Sequence, residues 1–154
     1  MEIRLALYLP RDAVSVPLTR RILVAALASL GVTEDCCADI QLAVAEACGN
    51  VIRHAGPADE YEVTVSFDVE QCTIDVVDTG PGIRTTAAEA LTQAAPDEES
   101  GRGLHLIRTL ADRFDLRSDG RGTALRFVKR LVWAPDAAVR HLPGPGNAPW
   151  PRLQ

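Results

Sequence analysis

Apolar and polar residues alternate from Glu2 to Leu9, with Ile3, Leu5, Leu7 and Leu9 on one face, and this period of two predicts an opening strand. Residues 17–30 then follow helical spacing, with Pro17 near the start and Gly31 as the stop signal. Thr33 is expected to cap a second helix, whose first turn places Glu34 and Asp35 at the positive end of the dipole. That helix should continue to residue 55, where Gly56-Pro57 ends it. Tyr61, Val63, Val65, Phe67 and Val69 alternate with polar residues, and after a Glu70-Gln71 turn residues 72–78 form the second arm of a hairpin. A long irregular stretch follows, with a short helix around residues 86–93. A helix over 104–112 and strands over 114–118 and 122–132 complete the body. Without strict βαβ alternation, this order predicts the α+β class: a two-layer α/β sandwich, with helices on one face of a mixed, mainly antiparallel sheet.

Proline and glycine divide the chain. Five of the ten prolines fall between Pro135 and Pro151, so residues 1–134 are expected to fold and 135–154 to form a flexible Pro/Gly-rich tail, with Trp150 as a possible anchor. The 154 residues are 47% apolar and 24% charged, ordinary for one soluble domain. A net charge of −5 and only 5% aromatic residues argue against direct nucleic acid binding or an anionic membrane partner. No run approaches the roughly 20 apolar residues of a spanning helix. The start, MEIRLALYLPRDAV, has no basic region before a long apolar stretch, so a cytoplasmic location is expected. Cys36, Cys37, Cys48 and Cys72 lack metal-ligand spacing and read as small buried hydrophobes.

Three segments carry candidate chemistry. On the second helix, Ile40, Val44, Ala47 and Val51 form a narrow stripe that should face the sheet. Glu46, Asn50 and His54 are spaced by four and drift about 40° per step toward that stripe. Such a row is either a polar helix flank or a site in which Glu46 handles a proton and Asn50 offers an uncharged oxygen to a hard cation. The second segment, Asp78-Thr79-Gly80-Pro81-Gly82-Ile83, follows a strand directly. It is a turn, or a place where backbone approaches a flat ligand and Asp78 accepts from an exocyclic amino group. The third, Ser100-Gly101-Arg102-Gly103-Leu104, runs into a helix, where small residues and free amides suit a phosphate. It is not a Walker loop, because no G-K-[ST] follows.

In this order, E-x-x-x-N, D-x-G-x-G and G-x-G-L resemble the N box and glycine boxes of the GHKL superfamily of ATP-binding domains. The body is too short for a transducer domain, and no His precedes Glu46 to serve as a sensor kinase's phosphoacceptor. The chain looks most like the RsbW-type anti-sigma factor serine/threonine kinases, notably in Glu46-x-x-x-Asn50-x-x-x-His54 and in Gly122-Thr123. The resemblance implies the Bergerat (GHKL) fold, ATP and Mg2+ as cofactors, Glu46 as general base and Asn50 as the magnesium ligand. It further implies that Asp78 reads the adenine amino group, that Gly80, Gly82, Ile83 and Thr123 border the base, and that Gly101, Arg102, Gly103 and Leu104 wrap the phosphates. Arg53 and His54 would border the nucleotide.

The implied partners are a sigma factor, held by sequestration, and a STAS-domain anti-anti-sigma protein, phosphorylated on serine or threonine, with the kinase itself a homodimer. Arg20 and Arg21 on the first helix are exposed candidates for partner contact, or simply a solvated basic pair. The segment from 84 to 100 departs from the family: it is acidic, and Glu99 and Ser100 stand where some members place a cation. This favours the alternative of an ATP-binding regulatory module that holds a partner without phosphoryl transfer. A free-standing ATPase is a third reading.

Overall fold

The computed structural model describes residues 1–54, 60–78, 99–119 and 122–141. Five strands, β1 (Ile3–Pro10), β2 (Glu60–Phe67), β3 (Gln71–Asp78), β4 (Arg113–Asp119) and β5 (Gly122–Arg130), form one sheet in the order β1-β2-β3-β5-β4. All four pairings are antiparallel. Helices α1 (Ser15–Leu30), α2 (Glu34–His54) and α3 (Glu99–Leu110) supply the second layer. The expected α+β sandwich is therefore present, with a wholly antiparallel sheet among the described residues.

The core follows from the two periodicities. Val63, Val65 and Phe67 on β2, Ile74 and Val76 on β3, and Leu125 and Phe127 on β5 are buried, while their chain neighbours point away from the helices. The α2 stripe meets them: Ile40, Val44, Ala47 and Val51 are all within 3% of full burial. The four thiols are also buried, and burial pushes those of Cys48 and Cys72 up to about 12. They are packing groups and not nucleophiles.

Element ends differ from the sequence expectation where polar contacts decide them. The β2–β3 turn is set by Asp68, whose carboxylate accepts from the N–H groups of Glu70 (2.7 Å) and Gln71 (2.9 Å), so Gln71 opens β3. Helix α3 begins at Glu99, five residues before the expected 104, so the glycine segment belongs to the helix rather than to a preceding loop. At its other end Lys129 ties three elements together. Its Nζ donates to Asp39 on α2 (2.8 Å) and to the Leu110 carbonyl at the α3 C-terminus (2.7 Å). The short helix expected around 86–93 lies outside the described residues.

The expected boundary at residue 134 falls inside an ordered strap. Trp133 bridges Val32, its indole N–H donates to the Val69 carbonyl (2.8 Å), and Ala134 N–H donates to Gly31 O (2.8 Å). Ala137 and Val139 are buried ahead of a 3-10 turn at Ala138–His141. Three small or apolar residues thus hold the chain against the end of α1. The remainder of the expected tail, with Trp150, lies outside the described residues.

Gly31 is where this packing is most demanding. It ends α1 at φ +93°, with its N–H donating to the Ala28 carbonyl, and a Cβ there would sit 2.6 Å from Ala137 Cα. Gly31→Ala should therefore destabilise by about 2 kcal/mol or more, combining left-handed strain with displacement of the strap. A urea midpoint equal to that of the unsubstituted protein would count against this account.

Candidate functional site

Strand β3 alternates Cys72, Ile74, Val76 and Asp78 on its inner face, so the same period that builds the core carries a carboxylate into it. Register places Tyr61 of β2 and Thr123 of β5 directly across from Asp78. All three are buried, making a row Tyr61–Asp78–Thr123 at one end of the sheet. Asp78 is 3% exposed and its Oδ1 has no hydrogen-bond partner. The Tyr61 hydroxyl is held by Ser15 Oγ at 2.6 Å, which fixes the start of α1 against this row. Burial raises the tyrosine's pKa, so the ring stays neutral at any physiological pH.

Helix α2 passes over this end of the sheet. Its polar row drifts inward as the helical geometry requires: Glu46 is half-buried, whereas Asn50, one turn on, is 3% exposed. Asn50 Oδ1 is likewise buried without a partner. Two acceptor oxygens withdrawn from water and left unpaired cost several kcal/mol together, and buried groups of that kind call for an occupant that pairs them.

The N-terminus of α3 abuts the same part of α2. A Cβ on Gly103 would stand 2.7 Å from Glu46 Oε2 and 3.7 Å from Arg53 Nη2. Gly103 is therefore a glycine because the carboxylate lies against its backbone. The Arg53 guanidinium folds back one turn across Gly49, where a Cβ would meet Nη1 at 3.3 Å. A cavity of about 290 Å³ lies here, lined by Glu46, Arg53, Arg102, Gly103 and Leu106. The first four N–H groups of α3, from residues 99–102, have no partner within the helix and give this end partial positive charge.

Of the residues expected from sequence, the structure brings together Glu46, Asn50, Arg53, Asp78, Gly101, Arg102, Gly103, Leu104 and Thr123 at one end of the sandwich. Leu104 is a core residue, buried to 3%. Gly80, Gly82, Ile83 and the side chain of His54 lie outside the described residues. Arg21 is exposed as expected. Arg20 is half-buried, its Nε removed from solvent and unpaired, so the two arginines are not one solvated pair. The sequence reading missed Leu106 and the Tyr61–Ser15 bond: Tyr61 was legible as a core strand residue, but only the register sets it beside Asp78.

A buried carboxylate on a strand end, a carboxamide and carboxylate on one helix, and a glycine-opened helix start define a nucleotide-binding domain of the GHKL type. Residues 9–129 match the family model described as "Histidine kinase-like ATPase domain", and the chain belongs to that family. It is similar to the serine-protein kinase RsbW of Bacillus cereus (strain G9842), at 24% identity over 138 residues, covering 82% of this chain and 86% of that protein. The RsbW of Bacillus mycoides (strain KBAB4) matches equally, at 24% over the same coverage. Among solved structures, the RsbU and RsbW domains of Rv1364c from Mycobacterium tuberculosis superpose with a TM-score of 0.64 at 19% identity. That match covers 84% of this chain and 32% of the longer protein, so this chain spans about a third of it. The Acinetobacter baumannii histidine kinase AdeS gives 0.51 at 14% identity, over 81% of this chain and 68% of AdeS. These likenesses share the fold. Among the described residues, no helix is long and apolar enough to cross a membrane.

The residues fit the ligands that the family implies. No cluster of three or more His, Cys, Asp or Glu is present among the described residues, but magnesium needs only one or two protein ligands beside phosphate and water, and Asn50 offers one oxygen. Gly103→Ala should push the Glu46 carboxylate out of its seat and lower ATP affinity about tenfold in calorimetry, while far-UV circular dichroism stays unchanged. Undiminished affinity would show that the Glu46–Gly103 contact does not shape the site.

Proposed function

We propose that this protein is a cytoplasmic ATP-dependent protein serine/threonine kinase that also acts as an anti-sigma factor, sequestering a sigma factor and phosphorylating a STAS-type anti-anti-sigma protein. The observation that carries the nucleotide part is the pair of buried, unpartnered oxygens on Asn50 and Asp78 at the end of the site where Glu46 meets Gly103. Support for the kinase part comes from relatives named serine-protein kinase RsbW.

In this reading Asp78 accepts a hydrogen bond from the adenine amino group, with Thr123 and the segment of Gly80, Gly82 and Ile83 beside the base. The α3 start, with Gly101, Arg102, Gly103 and Leu104, takes the phosphates on its free amides. Asn50 holds magnesium, which neutralises charge on the phosphate oxygens when bound. The serine or threonine oxygen of the partner attacks the γ-phosphorus, the bond to the bridging oxygen breaks, and ADP leaves. Glu46 takes the hydroxyl proton, a role that suits a half-buried carboxylate at the mouth of the cavity. Arg53, lying across Gly49 and bordering the same cavity, supplies the cation that Glu99 and Ser100 do not. His54 closes the polar row.

The second reading, an ATP-binding module that holds its partner without phosphorylating it, is favoured by the acidic stretch before α3. One experiment separates the two: incubation with Mg-ATP and STAS-domain partners, read by mass spectrometry for phosphoserine or phosphothreonine. Glu46→Gln should keep ATP affinity and lose transfer at least a hundredfold. Equal phosphorylation by that variant would remove Glu46 as the base, and no phosphorylation by the unsubstituted protein would favour the module.

Asp78→Asn should weaken ATP and ADP alike by about 1–3 kcal/mol in calorimetry. Arg53→Ala should act differently, lowering ATP affinity about tenfold and ADP affinity less than about twofold. An equal effect on both nucleotides would take Arg53 away from the terminal phosphate.

A further inference from the structure

The face of the sheet turned away from the helices has no layer over it in this chain. Register gives its rows directly. Tyr8, Glu62, Val77, Ala124 and Arg117 lie side by side across the five strands, and Ala6, Thr64, Asp75, Arg126 and Asp115 form the next row. The middle of this face is a shallow basin of about 340 Å³, with Thr64, Val77 and Ala124 as its floor and Glu62, Arg117 and Arg126 among its walls. Tyr8 is 74% exposed and Val77 39%, so apolar groups stand in water both at one edge and at the centre.

Charge is divided across the same face by strand. On β2 and β3 it carries Glu60, Glu62 and Asp75; on β5 and β4 it carries Arg126, Arg130, Arg113 and Arg117, with Asp115 as the one acid. Arg4 of β1 pairs with Glu2 at 2.7 Å and adds no net charge. The Asp75–Arg126 bond, doubled at 2.6 and 3.0 Å, marks the border between the halves. A face with one acidic half and one basic half is complementary to itself when turned by a two-fold axis lying between two sheets and parallel to β3. That operation lays β1 and β2 of one copy over β4 and β5 of the other and brings Val77 against its own equivalent.

We infer that this open sheet face docks a second copy of the chain, with the acidic β2 half of each copy against the basic β4–β5 half of the other. Glu62 then lies over Ala124 of the second copy and reaches the Arg117 beside it, twice per dimer. Tyr8 meets the same arginine with its ring. Five strands of about eight residues present roughly 24 by 27 Å in projection. That approaches the 800 Å² or so per partner of an ordinary stable interface once side-chain relief is included. The residues on the floor are small, as close approach of two sheets at about 10 Å requires. The family resemblance carries an expectation of a homodimer; the face, the axis and the Glu62–Arg117 contact come from this chain's own register and charges, and none depends on phosphoryl transfer.

Sedimentation velocity on the full chain without nucleotide tests it, using Glu62→Arg and Arg117→Glu, both on the exposed face and outside the nucleotide site. The unsubstituted protein is expected to dimerise at micromolar concentration and to dissociate progressively with added salt. Each variant alone should self-associate at least tenfold more weakly, because both contacts in its homodimer become like-charged. An equimolar mixture should recover a dimer within about threefold of the original affinity, since both contacts are again of opposite charge. A monomeric unsubstituted protein, variants that dimerise undiminished, or a mixture that stays monomeric would each overturn the inference. ATP affinity measured on the same samples keeps the nucleotide assignment separate: it should be the same for all of them.

Discussion

The row Cys72, Ile74, Val76, Asp78 places an ionisable group where the pleat of β3 demands an apolar one. A strand cannot turn one side chain outward without turning its neighbours inward, so the carboxylate is held in the interior by the packing of the three residues before it. Burial of an acceptor without a donor costs free energy that the folded chain does not recover internally. The rest of the core is arranged to make this tolerable. Tyr61 and Thr123 flank Asp78 across the sheet, and the α2 stripe from Ile40 to Val51 is apolar enough to hold the layer together beside it.

The same tension recurs on α2 and sets the geometry of the cavity. A helix row spaced by four must drift around the axis, so a polar residue admitted at the half-buried position of Glu46 is followed by one admitted at full burial, Asn50. The approach of α3 to this row is possible only because Gly103 has no side chain, and Arg53 can lie back along α2 only because Gly49 has none. Lys129, at the far end, anchors α3 to α2 and β5, which makes the position of the α3 start a property of the whole sandwich and not of a loop.

How much of this was legible in the sequence depended on whether the determinant was local. The alternation in β2 and β3, the α2 stripe and the Gly31 stop are each visible within one window, and each stands where it was expected. Glu46, Asn50 and Asp78 were legible as residue types at meaningful spacings, because helical and strand periods dictate their facing. The start of α3 was misplaced because two glycines read as a loop; the helix absorbs them, since Gly103 must admit a carboxylate from another element. The strap after β5 was also hidden, for Ala137 and Val139 are buried only by the end of α1, about 105 residues earlier in the chain. The partner of Tyr61, Ser15, was invisible for the same reason.

Val77 and Asp78 are consecutive residues that serve opposite faces of one sheet. Asp78 belongs to the row Tyr61–Asp78–Thr123 beneath the helices, and Val77 to the row Tyr8–Glu62–Val77–Ala124–Arg117 in the open. A slip of one residue in the pairing of β3 would exchange them, sending the carboxylate to water and the valine to the nucleotide site, and would reverse the facing of Ile74 and Val76 as well. The burial of those apolar residues therefore fixes the register for both faces at once. Nucleotide chemistry and the charged outer face thus rest on the same hydrophobic term, although neither uses a hydrophobic residue to do its work.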